Sequence, residues 1–123
     1  MIDEFVVKKL SKLFNILSNE IRIKIIYILI EFESLTVTEL SDKLQVPQNT
    51  LSSHLKILYE GSYLNKEQKW RNIYYSIKEP KLKELFELGT VILYNKWEDN
   101  WEKIVKAKSK IEQAVHKNKK KSK

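Results

Sequence analysis

The sequence predicts a mainly α-helical fold carrying one small β-hairpin, and three observations predict it. Glycine and proline number only two each in 123 residues, which favours long uninterrupted helices. Apolar residues recur at three- and four-residue steps through most of the chain, the period of a helix with one buried face. Residues 36–60 read as two short helices joined by a tight turn, and two extended runs follow them at once.

The first element covers residues 3–17, where Phe5, Val6, Leu10, Leu13, Phe14 and Leu17 form an amphipathic stripe. Residues 21–32 are apolar nearly all round and rich in isoleucine, so propensity alone favours a strand. Their length, Ser18 as a cap and the acid at Glu20 favour a buried scaffold helix instead.

The helix pair has explicit start and stop signals. Thr36 can cap the free amides while Glu39, three residues on, reaches back to the cap's own N–H, and Leu35 and Leu40 occupy the two positions of a hydrophobic staple. Pro47 excludes the helical region for Val46 and can itself open a second helix, residues 47–60. There Leu51, Leu55 and Leu58 make the buried stripe. At about 100° per residue, Asn49, Ser52, Ser53 and Lys56 fall opposite it, flanked by Gln48 and His54 and joined by Thr50. That face has no acid, which suits approach to base edges and phosphates; an ordinary solvent face is the competing reading.

Gly61-Ser62 ends the helix, and residues 63–77 follow as a hairpin. Its runs are 63–67 and 72–77, the second alternating Ile73, Tyr75 and Ile77 against Asn72, Tyr74 and Ser76. Between them lie Gln68, Lys69, Trp70 and Arg71. A helix pair followed by a small basic hairpin is the order of a winged helix-turn-helix. Trp70 is either an exposed aromatic on sugar or phosphate or a plug folded onto the domain; the usual burial of large aromatics favours packing and makes Arg71 the better contact.

Residues 81–117 keep Leu82, Leu85, Phe86, Gly89, Ile92, Leu93, Trp97, Trp101, Ile104, Val105 and Ile111 in one stripe. They form one long helix, which would span about 55 Å, or two nearly collinear ones. A domain this small cannot cover such a stripe, so a partner helix is expected, with Trp97 and Trp101 as anchors; the alternative is a helix folded onto its own core.

SNEIRIKII from Ser18, LTVTEL from Leu35, QNTLSSHLKIL from Gln48 and RNIYY from Arg71 lie within residues 18–77, about half the chain. Together these four blocks resemble the ArsR/SmtB family of bacterial and archaeal repressors. The resemblance implies a homodimeric winged-helix repressor of double-stranded DNA, with N- and C-terminal dimerisation helices. By position, Gln48, Asn49, Thr50, Ser52, Ser53, His54 and Lys56 would read DNA, and Lys69 and Arg71 would be the wing's contacts. Phe5, Leu10, Leu13, Leu85, Ile92, Trp97 and Trp101 would line the dimer interface.

The departures bear on what such a protein senses. Thr36-Val37-Thr38 stands where arsenic-sensing members carry a Cys-x-Cys pair, and the chain has no cysteine, so thiolate metal sites and thiol switches are excluded. Residues 80–96, where zinc-sensing members place histidines, contain none; the chain's two are His54 and His116. The family's glycines are also displaced: Ser62 and Trp70 stand at their usual places. No cofactor is expected and no effector is legible, so the chain is either constitutive or senses something outside that set.

Charge is unevenly spread. Residues 103–123 hold nine lysines against Glu112, while the chain totals +7, which leaves residues 1–102 nearly neutral. Residues 47–78 carry Lys56, Lys66, Lys69, Arg71 and Lys78 against Glu60 and Glu67, a modest footprint for phosphate that a dimer doubles. We therefore expect one winged-helix and dimerisation domain over residues 1–117, including the long helical region 80–117, followed by a basic disordered tail, 118–123. No run is long and apolar enough for a membrane span or secretory signal, which points to the cytoplasm. No nucleophile, base and orienter set, phosphate loop or metal cluster suggests an enzyme. The expected function is sequence-specific regulation of transcription, as a dimeric repressor on a palindromic operator. The alternatives are a winged-helix protein-interaction module and a non-specific nucleoid-like DNA binder.

Overall fold

The computed structural model describes residues 1–96 together with residues 102, 103, 105, 106, 108 and 109. The chain divides into two compact units, Met1–Glu79 and Pro80–Lys123. The first unit holds α1 (Glu4–Leu17), α2 (Glu20–Phe32), β1 (Ser34–Thr36), α3 (Val37–Leu44), α4 (Gln48–Glu60), β2 (Leu64–Lys69) and β3 (Asn72–Ile77). In the second, α5 (Lys81–Lys96) is the described helix. Mainly α with a small sheet is the predicted class, and α3, α4 and the hairpin stand in winged helix-turn-helix order.

Local chemistry accounts for each boundary. Asp3 Oδ1 accepts the N–H groups of Phe5 and Val6 and starts α1. The helix α2 is started by Asn19, whose Oδ1 accepts the Arg22 N–H, and not by Ser18 as the sequence suggested. Either residue type can cap, and the extended backbone of Asn19 decides between them. The capping box at α3 is complete: Thr36 Oγ1 accepts from Glu39 N at 3.1 Å and Glu39 Oε1 accepts from Thr36 N at 3.0 Å. Leu35 and Leu40, the staple pair, are both buried.

Between α3 and α4 the chain turns through Gln45, which takes the left-handed conformation (φ 55°, ψ 45°). Ser41 Oγ donates to the Val46 carbonyl at 2.7 Å and holds the turn closed. The most deeply buried side chains of this unit are Ile25, Ile26 and Leu29 from α2, Leu40 from α3, Leu51, Leu55 and Leu58 from α4, and Leu64 from β2. Three of those eight side chains are the expected stripe of α4. At about 1.5–3 kcal/mol each for full burial, they fix which way its other face points.

The sheet contains a strand that the sequence reading missed. Residues 34–36 add to the hairpin, giving the order β1-β3-β2, with Ser34, Leu35 and Thr36 opposite Ser76, Tyr75 and Tyr74. A three-residue strand has no measurable period, so pattern reading cannot find it. Its consequence is that Thr36 both pairs with the wing and caps α3, which locks the wing's base to the helix pair.

The hairpin is also tighter than expected. The strand β2 starts at Leu64, not Tyr63, and continues to Lys69, which pairs with Asn72, so Trp70 and Arg71 alone make the turn. Trp70 is 85% exposed at φ 59°, which overturns the expectation that it packs onto the domain. Two fully paired strands carry the turn away from the core, and the ring goes with it.

The displaced glycine has a local cost. Ser62 takes the positive φ (67°), while Gly61 is an ordinary C-cap at φ −76°. Gly61 is needed for space instead: a Cβ there would lie 2.8 Å from Tyr63 Cε2 and 3.3 Å from the Ile57 carbonyl oxygen. Gly61→Ala should therefore destabilise by about 1–3 kcal/mol. Ser62→Gly should be neutral or stabilising by up to about 1 kcal/mol. Urea melts of the two variants check the pair, and the opposite ranking would contradict this assignment.

Of the helical stretch expected over residues 81–117, α5 is described to Lys96, and Glu102, Lys103, Val105, Lys106, Lys108 and Ser109 are helical. Trp97, Trp101, Ile104, Ile111, His116 and the tail 118–123 lie outside the described residues.

Candidate nucleic-acid interface

The outward face of α4 is what its buried stripe leaves over. Gln48, Asn49, Ser52, Ser53 and Lys56 are exposed and Thr50 is half-buried. Local bonds hold their side chains close to the helix. Ser52 Oγ donates to the Gln48 carbonyl and Ser53 Oγ to the Thr50 carbonyl, each at 2.9 Å, and Asn49 Oδ1 accepts from Thr50 N at 2.9 Å. Each serine oxygen keeps acceptor capacity and the Asn49 amide keeps its donors. The face is thus short, bifunctional and able to come near another polar surface. Gln48 Nε2 reaches Thr38 Oγ1 at 3.3 Å and ties the start of α4 to α3.

Charge on this face is positive but lightly held. Lys56 Nζ lies 4.0 Å from Glu60 Oε1, with both side chains largely exposed. Such pairs contribute little and leave the cation available to phosphate.

His54 is placed differently from the other predicted readers. It is half-buried, and its Nδ1 lies 3.1 Å from Arg22 Nη1. A guanidinium can only donate, so Nδ1 accepts and the neutral ring carries its proton on Nε2. Burial, and then the Arg22 charge, lower the His54 pKa below the ordinary 6.5. The folded state favours the neutral ring, so the stability this contributes is complete above pH 6.5 and is lost as the pH falls below it. Arg22→Gln should raise the His54 pKa towards 6.5, read from its imidazole NMR shifts during a pH titration; an unchanged or lower value would refute the contact.

Arg22 is a positioning residue that the sequence reading overlooked. Its Nε donates to the Ile16 carbonyl at the end of α1, and its Nη1 meets His54 on α4, so one side chain ties three helices. A cation in a helix apolar nearly all round was the available signal, because a half-buried charge needs partners.

The wing carries its cations beside rings. Arg71 lies 5.1 Å from the centre of the Trp70 ring, Lys69 5.6 Å from Tyr74 and Lys66 4.6 Å from Tyr59. Lys69 and Arg71 are exposed, at the two ends of the turn. Of the expected dimer residues in the first unit, Phe5 and Leu10 are exposed and Leu13 is half-buried on α1; in α5, Leu85 is half-buried and Ile92 exposed. Among the described residues, no group of three or more His, Cys, Asp and Glu is placed to hold a metal ion. No described helix is long and apolar enough to cross a membrane.

Known proteins share both the sequence and the shape. Residues 19–66 match the family described as "Bacterial regulatory protein, arsR family". The transcriptional repressor PagR of Bacillus anthracis is 32% identical over 78 residues, covering 63% of this chain and 78% of that protein. Its crystal structure superposes with a TM-score of 0.61 at 29% identity, over 70% of this chain and 98% of that one. The transcriptional activator HlyU of Vibrio cholerae is 32% identical over 72 residues, 58% of this chain and 66% of that protein. The structure of Rv0081 from M. tuberculosis gives a TM-score of 0.70 over 77% of this chain and 95% of that one, a likeness of fold alone at 24% identity. With the helix pair, the wing and these relatives agreeing, the chain belongs to the arsR family of bacterial regulatory proteins: it is a DNA-binding, winged-helix regulator of transcription that lacks the cysteines of the family's thiolate metal sensors.

Proposed function

We propose that the protein is a homodimeric repressor that occupies a palindromic operator, acting in the cytoplasm, with α4 of each protomer in successive major grooves about one helical turn apart. One observation carries this reading: the exposed face of α4, free of acids from Gln48 to Lys56, is aimed outward by Leu51, Leu55 and Leu58, beside a wing locked to α3 through Thr36. On this reading Gln48, Asn49, Thr50, Ser52, Ser53 and Lys56 face the groove, with His54 at the edge, and Lys69 and Arg71 meet the backbone or minor groove.

Dimerisation is supported by apolar side chains left in the open. On α1, Phe5 is 68% and Phe14 54% exposed, and Leu88 and Ile92 of α5 are exposed as well. Runs of this kind mark association surfaces. PagR, named a repressor, supports the sign of regulation, although HlyU is named an activator.

The nine lysines of residues 103–123 favour a second contribution, non-specific attraction to phosphate. Selection of bound duplexes from a random pool, repeated at two salt concentrations, separates the two. An inverted repeat that survives the higher salt is the expected result. Binding without a consensus that vanishes with salt would mean the tail dominates and would overturn the proposal.

A further inference from the structure

The wing's turn combines features that its role as a basic hairpin does not need. With Lys69 paired to Asn72, Trp70 is the first central residue of a two-residue turn. Its φ of 59° belongs to the region where glycine is cheapest and a bulky side chain is disfavoured. The ring nevertheless packs on no core: the residue is 85% exposed, and the neighbouring Arg71 guanidinium lies 5.1 Å from the ring centre. A large apolar ring is thus held at the apex of a projecting hairpin, in a strained backbone conformation, with Lys69 and Arg71 on either side.

We propose that Trp70 is a minor-groove wedge: its indole enters the minor groove flanking each half-site, and Arg71 follows it into the groove. This rests on α4 docking in the major groove. From that position the six-residue strands β2 and β3 carry their turn about 20 Å along the hairpin, far enough to reach beside the groove that α4 occupies. Apolar side chains at such places insert between base steps and unstack them, and the guanidinium gains from the negative potential of the minor groove beside the opened step. Unstacking is easiest at pyrimidine–purine steps, so Trp70 confers a preference for a TA or CA step at that position, without a hydrogen bond to any base.

A contact of this kind separates affinity from stability. Measured on a duplex selected with the unaltered protein, Trp70→Gly should weaken binding about tenfold or more. Its melting temperature should stay the same or rise, because the strained φ is relieved. Trp70→Phe should keep most of the affinity. The salt slope should be unchanged in both, since no charge is removed.

Equal binding by Trp70→Gly would overturn the inference while leaving the operator reading intact. A fall in its melting temperature would overturn it too, by assigning the ring a packing role. So would loss of binding to phosphatidylglycerol vesicles in Trp70→Gly with DNA affinity untouched, which would assign the ring to a membrane surface. If the unaltered protein selects no duplex, the operator reading fails and the wedge fails with it.

Discussion

Ser53→Glu should abolish operator binding, by at least about a hundredfold, with no loss of thermal stability. A hundredfold corresponds to about 2.7 kcal/mol, and a carboxylate pressed against phosphates and base edges costs several kcal/mol by like-charge repulsion. Stability should hold because Ser53 is exposed and its hydroxyl makes one bond, to the Thr50 carbonyl of its own helix. Glutamate is also a somewhat better helix former than serine. Fluorescence anisotropy on the selected duplex, beside a thermal melt, gives both quantities. Retained affinity would remove this face of α4 from the interface.

Leu10→Asp should convert the proposed dimer to monomers at micromolar concentration and carry operator affinity down with it. Leu10 is 46% exposed in the single chain, so a lone protomer leaves an aspartate there in contact with water. In a dimer centred on α1 the same carboxylate would be buried without a partner, at a cost of several kcal/mol. Operator affinity falls because each half-site must then be bound separately, without the gain of effective concentration. Sedimentation equilibrium reads the association directly. A variant that remains dimeric would place the interface elsewhere.

Much of this fold is legible in the sequence because the signals for one stretch are redundant. The start of α3 is marked twice, by Thr36 with Glu39 and by Leu35 with Leu40, and that of α4 once, by Pro47, which caps the helix from outside so that it begins at Gln48 and not at Pro47 as expected. Where one feature spoke alone, the reading slipped. Ser18 and Asn19 are both good caps, and only backbone geometry separates them. The average behaviour of tryptophan favours burial of Trp70, but the register of β2 on β3 places it at the turn, beyond the reach of the core. The candidate site was legible only as an exposed face, since Leu51, Leu55 and Leu58 fix its opposite, whereas the tie from Arg22 to His54 joins residues 32 positions apart that no local pattern connects.

The claim that α4 reads the major groove is tested most directly by methylation interference on the selected duplex. Guanine N7 lies in the major groove and adenine N3 in the minor. The expected pattern is N7 interference in two clusters about one helical turn apart on one side of the duplex, related by the operator's dyad. Complex formation indifferent to N7 methylation, or interference confined to adenine N3, would contradict the placement of α4.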